Sequence, residues 1–243
     1  MEPKPKQRLD VAMAARGLVA SRSQAESYVR LEQVKVNGRV ATKSGQMVSE
    51  EDAIVLATQE QYVGRAALKL KSAAEIFKLD FKGKTVLDVG SSTGGFTQYA
   101  LTHGAQKVIA VDVGTDQLHP SLRSDKRIEL HEKTDIRDFK TSEHIGMVVG
   151  DVSFISLREI LPHVATLVDK KTDIVAMVKP QFEAGQSQLK HKGVIKNDAM
   201  RREILKDFEI WAQRHFYIAA KADSAVAGTK GNLERFYLLR KLS

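Results

Sequence analysis

Two kinds of apolar spacing divide the chain. From residue 85 onward, short continuous apolar runs alternate with stretches whose apolar residues recur every three or four positions. The runs are Thr85–Val89, Lys107–Asp112, Arg127–His131, Ile145–Gly150 and Asp173–Val178, followed by Phe216–Ala220 and Phe236–Leu239. Runs this short, with little alternation, read as strands buried on both faces. The stretches Phe96–His103, Leu157–Leu167 and Asp198–Arg214 read as helices between them. Alternation of this kind requires right-handed crossovers and predicts an α/β domain with a seven-stranded, mostly parallel sheet.

The front of the chain is patterned differently. Leu9 and Met13 lie four apart between Arg8 and Arg16, and Gly17 ends that helix as a residue with positive φ would. Ser23 and Glu26 have capping-box spacing, with Ser21 as an alternative cap, and open a second helix through Tyr28 and Leu31. Val34-Lys35-Val36 alternates, Asn37-Gly38 is the favoured pair for a type I′ turn, and Arg39-Val40 returns. Glu50, Glu51 and Asp52 read as a polar turn before Ala53–Leu56. The expected division is a small α+β domain at 1–58, a connection without periodicity at 59–63, and the α/β domain at 64–243.

Composition narrows the possible functions. A hydrophobic content of 42% supports packed cores, and the absence of cysteine excludes disulfides and thiolate metal sites. The seven histidines are scattered without a His-Glu-x-x-His pairing, so no metal is expected. Lys4, Lys6 and Arg8 precede Val11–Ala15 as in a secretory signal, but Arg16 interrupts that run too early. A cytoplasmic protein is expected. The formal net charge of +8 points to a polyanionic partner, nucleic acid first. Residues 1–49 carry nine cations against four anions, with Arg22 at the second helix's start and Lys35 and Arg39 on outward strand positions.

The candidate chemistry lies at strand ends, where open α/β sheets bind ligands. Asp88-Val89-Gly90-Ser91-Ser92-Thr93-Gly94-Gly95-Phe96 joins a strand to a helix through small residues. Glycines there allow a ligand to approach bare backbone, and the helix start favours an anionic group. The loop is not the dinucleotide fingerprint. Asp88-Val-Gly90 with paired glycines after it resembles the first motif of S-adenosylmethionine-dependent methyltransferases, which makes Asp88, Gly90, Ser91, Ser92, Gly94, Gly95 and Phe96 cofactor candidates. Asp112 ends the next strand about twenty residues on, where a carboxylate accepts both hydroxyls of a ribose. Asp135 follows the third strand and either reads an adenine amine or caps the next turn.

Asp151 and Lys179 each directly follow an apolar strand. A lysine closing such a run is costly to bury without a partner or a purpose. Their pairing is read either as a salt bridge at the sheet edge or as catalytic, and their position favours catalysis. Residues 183–196, with Gly185, Lys190, His191, Lys192, Gly193 and Lys196, lack a hydrophobic period. They are read as a loop that closes over RNA or as a solvated connection.

Arg8-Leu9-Asp10, Gly17, Ser21-Arg22, Ala25 and Val34-x-Val36-Asn37-Gly38 resemble the RNA-binding module first described in the small-subunit ribosomal protein S-four. The whole chain resembles the TlyA family of haemolysin-named ribosomal RNA 2′-O-methyltransferases, whose catalytic domain is FtsJ-like. The motifs are Gly64–Leu70, Asp88–Gly95, Asp151–Leu157, Val178–Glu183 and Gly231–Glu234. The resemblance implies a Rossmann-like class I methyltransferase sheet and S-adenosyl-L-methionine as cofactor. It implies a Lys69, Asp151, Lys179, Glu234 tetrad that activates a ribose 2′-hydroxyl, with cytidine in structured ribosomal RNA as the expected target. The partners are then ribosomal RNA or ribosomal subunits, met by Arg8, Arg22, Lys35, Arg39 and Arg65. The connection reads Glu60-Gln61-Tyr62-Val63 where the family more usually has Arg-Ala-Trp-Val. Two other readings remain. One is a base N-methyltransferase, since Asp151-Val-Ser-Phe154 stands where amino methyltransferases have Asn/Asp-Pro-Pro-Tyr/Phe, although both prolines are missing. The other is a cytolysin, for which no strongly amphipathic basic-aromatic helix is seen.

Overall fold

The structure is a computed structural model that describes residues 6–19, 21–57, 62–184, 194, 195, 197–226, 228 and 231–242. The front unit holds β1 (Gln7–Arg8), α1 (Leu9–Ala15), α2 (Arg22–Arg30), β2 (Val34–Val36), β3 (Arg39–Val40), β4 (Met47–Val48) and β5 (Ile54–Leu56). Strands β3, β2 and β5 form one small antiparallel sheet, and β1 pairs with β4. Asn37 and Gly38 have φ of 50° and 79°, the conformation the type I′ turn demands. Gly17 takes φ 68° just past α1. Helix α2 is capped by Ser21, whose hydroxyl accepts from Gln24 N at 3.2 Å, so the capping-box reading of Ser23 gives way to the alternative. The polar turn at 49–52 is closed by Asp52, which accepts from Ser49 N and from the Asn37 amide.

The larger unit begins with α3 (Ala66–Phe77), followed by β6 (Thr85–Val89), α4 (Gly95–Thr102), β7 (Lys107–Val111), α5 (Pro120–Arg123) and β8 (Ile128–His131). Then come β9 (Met147–Gly150), α6 (Leu157–Thr166), β10 (Asp173–Val178), α7 (Pro180–Glu183), α8 (Asp198–Ala212), β11 (Phe216–Asp223) and β12 (Arg235–Lys241). All seven expected strands form one sheet in the order β11-β12-β10-β9-β6-β7-β8. It is parallel except for β12, which runs antiparallel to both β10 and β11. Strand β11 runs three residues past its expected end, through a register shift between Ile218 and Ala220. Helix α3 had no counterpart among the expected helices.

The strand order reverses between β6 and β9, which are neighbours although the chain leaves β6 toward β7 and β8. Such a reversal sets a crevice at the carboxyl edge, the place where such sheets bind ligands. Helices α3 and α4 cover one face of the sheet; α6 and α8 cover the other. The first core continues into the front unit through buried Tyr62 to Tyr28, Met13 and Leu9. Fully burying side chains of that size contributes about 1.5–3 kcal/mol each. Gln24 of α2 donates to Tyr62 O at 2.9 Å, and Val63 N donates to Gln98 of α4 at 2.7 Å. The connection is therefore fastened on both sides at Tyr62 and Val63, while Glu60 and Gln61 lie outside the described residues.

Candidate active site

The glycine loop leaves β6 under tight constraint. Gly90 has φ 81°, and a Cβ there would stand 2.9 Å from the carbonyl oxygen of Asp151. Only glycine lets the ends of β6 and β9 approach this closely. Gly95 packs against α3, where a Cβ would meet Ala67 N at 2.8 Å. Asp88 lies beneath the loop, fully buried, and accepts from the Thr97 hydroxyl at 2.6 Å. Its other oxygen has no hydrogen-bond partner, and burial pushes the carboxyl up to about 7. The structure thus places Asp88 where it ties β6 to α4, away from the cavity walls, whereas Gly90, Ser91, Ser92, Thr93 and Phe96 line the cavity above.

Asp112 follows β7. One of its oxygens accepts from Ser92 N at 2.8 Å and the other from Gly114 N at 2.7 Å. It faces a slot of about 310 Å³ whose walls include Val111, Val113, Ile136, Ile155 and Ile160. Asp135 also lines the slot, but its carboxylate is gripped by Arg137, through the guanidinium at 2.6 Å and the backbone N–H at 2.9 Å. That grip holds the Asp135 carboxyl below its usual range. Of the two readings of Asp135, the turn-closing one has its bonds in place.

A second cavity, of about 710 Å³, adjoins the slot and shares Gly90, Ser92, Asp151, Ser153 and Phe154 with it. Four charged side chains from separate elements meet in its wall. Lys69 projects from the first turn of α3, and its Nζ lies 2.6 Å from Glu234 Oε2 and 3.7 Å from Asp151 Oδ2. Lys179 follows β10, with Nζ 2.6 Å from Asp151 Oδ1, and donates to Ser153 Oγ at 2.7 Å. The side chains of Lys69, Lys179 and Glu234 are only 6%, 9% and 3% exposed. Two ammonium groups and two carboxylates balance, which is the condition under which charges this buried persist. The salt bridge between Asp151 and Lys179 is present, and both residues line the cavity.

Ser153, Phe154 and Phe182 of this wall were given no site role by sequence reasoning, although Phe154 was noted in the Asp151-Val-Ser-Phe154 stretch. Ser153 accepts from Lys179, so its own proton is free to point into the cavities. Phe154 is 91% exposed at φ 67°, and its ring centroid is 5.3 Å from that of Phe182. A bulky side chain rarely adopts positive φ, and a phenyl group this bare is rarer still. The signal available in the sequence was a phenylalanine standing three residues past a strand-end aspartate.

The arginines of the front unit are arranged around a carboxylate. Arg8 and Arg22 both reach the fully buried Asp10, at 2.8 Å and 3.3 Å, with their own side chains about half exposed. Lys35 and Arg39 lie exposed on the small sheet, where Lys35 stands opposite Val40 and Val55 in an outward row. Arg65 lines both the tetrad cavity and a further cleft bounded by Arg8, Arg30 and Lys43. Residues 185–193 and 196, expected as a loop near the site, lie outside the described residues. Among the described residues, no group of three or more His, Asp or Glu is placed to hold a metal, and no helix is long and apolar enough to cross a membrane.

Comparison with known proteins agrees with this geometry. The FtsJ-like methyltransferase family matches residues 62–241, and the S4 domain matches residues 7–54. The chain is 38% identical to the 16S/23S rRNA (cytidine-2′-O)-methyltransferase TlyA of Mycobacterium tuberculosis over 240 residues, covering 96% of this chain and 89% of the relative. It is 44% identical to the 23S rRNA (cytidine-2′-O)-methyltransferase TlyA of Campylobacter jejuni over 180 residues, covering 73% and 70%. A haemolysin-named protein of Streptococcus thermophilus superposes with a TM-score of 0.72 at 34% identity, covering 99% of this chain and 90% of that one. An S4 domain joined to an FtsJ-like domain, with identity extending over nearly the full length, shows that the chain belongs to the TlyA family of S-adenosylmethionine-dependent RNA methyltransferases.

Proposed function

We propose that the protein transfers a methyl group from S-adenosylmethionine to the ribose 2′-hydroxyl of cytidine in structured ribosomal RNA. The observation that carries this reading is the buried Lys69, Asp151, Lys179, Glu234 cluster in the wall shared by the two cavities. The slot fits the cofactor's adenosine. Its apolar walls suit the adenine, and each Asp112 oxygen, having accepted one backbone N–H, keeps a lone pair for a ribose hydroxyl. Gly90, Ser91, Ser92, Gly94, Gly95 and Phe96 would shape the loop that holds the rest, with Asp88 fixing that loop from below. The bound cofactor supplies an activated methyl group.

The chain's own residues supply placement and proton removal. Lys179 would take the 2′-hydroxyl proton as the methyl arrives, after first giving up the proton that its pairing with Asp151 favours. Asp151 orients the Lys179 side chain, and Glu234 does the same for Lys69, which positions the hydroxyl or its neighbouring phosphate. Phe154 offers an open aromatic face on which a displaced base would stack. Fixing both reactants supplies more of the rate than proton removal, because the donor is already activated. The front unit, through Arg8, Arg22, Lys35 and Arg39 together with Arg65, would hold the folded RNA by its phosphates.

The base N-methyltransferase reading is weaker here, because Ser153 faces Lys179 at 2.7 Å and no pair of prolines shapes an amine-binding turn. Nuclease digestion of methylated rRNA followed by mass spectrometry tests the proposal. The methyl is expected on the sugar of a cytidine; a methyl on the base would overturn it.

A further inference from the structure

The segments that follow β9 and β10 leave the sheet side by side and are joined at successive points. Innermost is the Asp151–Lys179 ion pair at 2.6 Å, then the Lys179–Ser153 hydrogen bond at 2.7 Å. Next is the Phe154–Phe182 ring pair at 5.3 Å. Outermost is Glu183. It accepts from Ser156 Oγ and from Leu157 N, both at 2.7 Å, and Arg158 Nε lies 3.3 Å away.

We propose that Glu183 is a positioning residue for methyl transfer, closing this ladder so that Phe154 and Lys179 face the cavity in fixed geometry. The inference rests on the proposed reaction but goes beyond it, since Glu183 touches no reacting group. Its side chain is 1% exposed. Helix α6 already has an N-cap in Ser156, whose hydroxyl accepts from Arg158 N at 3.1 Å, and a serine cap suffices for a helix of that length. A second, buried carboxylate brought from the neighbouring segment is more than capping requires, and desolvation works against it. Burial does raise the affinity of Glu183 for a proton, in keeping with that cost.

What the ladder holds explains the expense. Phe154 is kept at φ 67° with its ring bare, a conformation that persists only where its surroundings over-determine it. The segment 151–156 is anchored at one end by β9 and at the other by α6, and Glu183 ties that second end to the stretch that carries Lys179. Without this tie, Phe154 can relax into ordinary backbone conformations. Lys179 then loses the alignment that Ser153 imposes on it.

The test is a double-variant cycle in the full chain, reading total methyl incorporation into rRNA so that the sugar-or-base question does not enter. E183A should lower kcat about tenfold or more while leaving cofactor affinity within about twofold, because the slot and Asp112 are built on other elements. E183Q should recover most of the rate, since its amide oxygen still accepts from Leu157 N. In an F154A background, E183A should have much less effect than in the native chain. Should E183A not fold, E183D, which shortens the reach to Leu157 N and Ser156 Oγ, takes its place in the cycle, with the same loss of effect expected. Additive losses in the cycle, or an unchanged kcat in E183A, would overturn the positioning role. A wild-type chain that methylates no RNA would instead remove the underlying reaction.

Discussion

Asp10 and Asp151 each stand between two cations, and the two clusters are built in opposite ways. At Asp10 the carboxylate is fully buried and the cations are outside, Arg8 and Arg22 being 45% and 58% exposed. At Asp151 the cations are the buried partners, and Glu234 supplies a second negative charge. The first arrangement uses an internal anion to hold two arginines on the surface with their outer faces in water, as phosphate contacts need. The second removes ammonium groups from water and fixes their orientation by the carboxylates beside them. One cluster presents charge to solvent; the other withdraws it into the cavity wall.

The difference breaks most visibly under lysine removal. Lys69→Ala would leave Glu234 buried and unpaired, and stability should fall by about 3–5 kcal/mol in urea titration. Arg22→Ala should cost less than about 1 kcal/mol, because its charge is mostly solvated and Arg8 still holds Asp10. Equal losses would mean that the burial contrast carries no energetic meaning. Lys179→Ala should still bind cofactor and RNA but transfer methyl at least about a hundredfold more slowly, as expected for losing a positioned proton acceptor. Full activity in that variant would sink the proposed mechanism.

The two clusters were not equally legible in the sequence. Asp151 and Lys179 could be placed because each ends an unmistakable apolar run, and the strand-end rule then puts them at the crevice. Lys69 and Glu234, 165 residues apart, came only from family resemblance. Helix α3 was missed because Ala67, Leu68, Lys69, Leu70, Ser72, Ala73 and Ala74 are all buried. A helix covered nearly all round shows no polar stripe, and a buried lysine in it reads as solvated surface. The two-residue strands β1 and β4 are too short for any period to register. Phe154 was visible as a residue, but its exposure follows from a backbone angle that no pattern of residue types announces.

Cofactor binding sharpens the contrast at a carboxylate paired with backbone rather than with cations. Asp112→Ala removes the proposed ribose acceptor and also the tie from Ser92 N to the loop. Cofactor affinity should weaken by about 1–3 kcal/mol in calorimetry on folded protein. Unchanged affinity would mean that the ribose is held elsewhere.

The pH dependence of stability should show opposite signs at Asp10 and Asp88. The Arg8 hydrogen bond holds the Asp10 carboxyl below its usual range. Its contribution is therefore present above about pH 4 and is lost as pH falls through the folded value. Burial pushes Asp88 up to about 7. The folded state then binds more protons there than the unfolded state between about pH 4 and 7, so stability should decline as pH rises across that interval. Urea titrations of D10N and D88N against the native chain should lose the acid-side fall and the neutral-side decline, respectively. The same slope in all three proteins would contradict both assignments.

The smallest effect separates cations within the front unit. Lys35 stands in an outward row on the small sheet, whereas Arg22 shares Asp10 with Arg8 at 3.3 Å. A phosphate contact made by Lys35 releases about one counterion, so Lys35→Ala should reduce the slope of log affinity for rRNA against log salt by roughly 0.7–0.9. Arg22 is already partly neutralised by a buried carboxylate, and Arg22→Ala should reduce the slope by less. Cofactor affinity should not change in either variant, because neither side chain lines the slot. A larger slope change for Arg22 than for Lys35 would show that RNA displaces Arg22 from Asp10. The Asp10 cluster would then be a docking switch rather than a fixed mount.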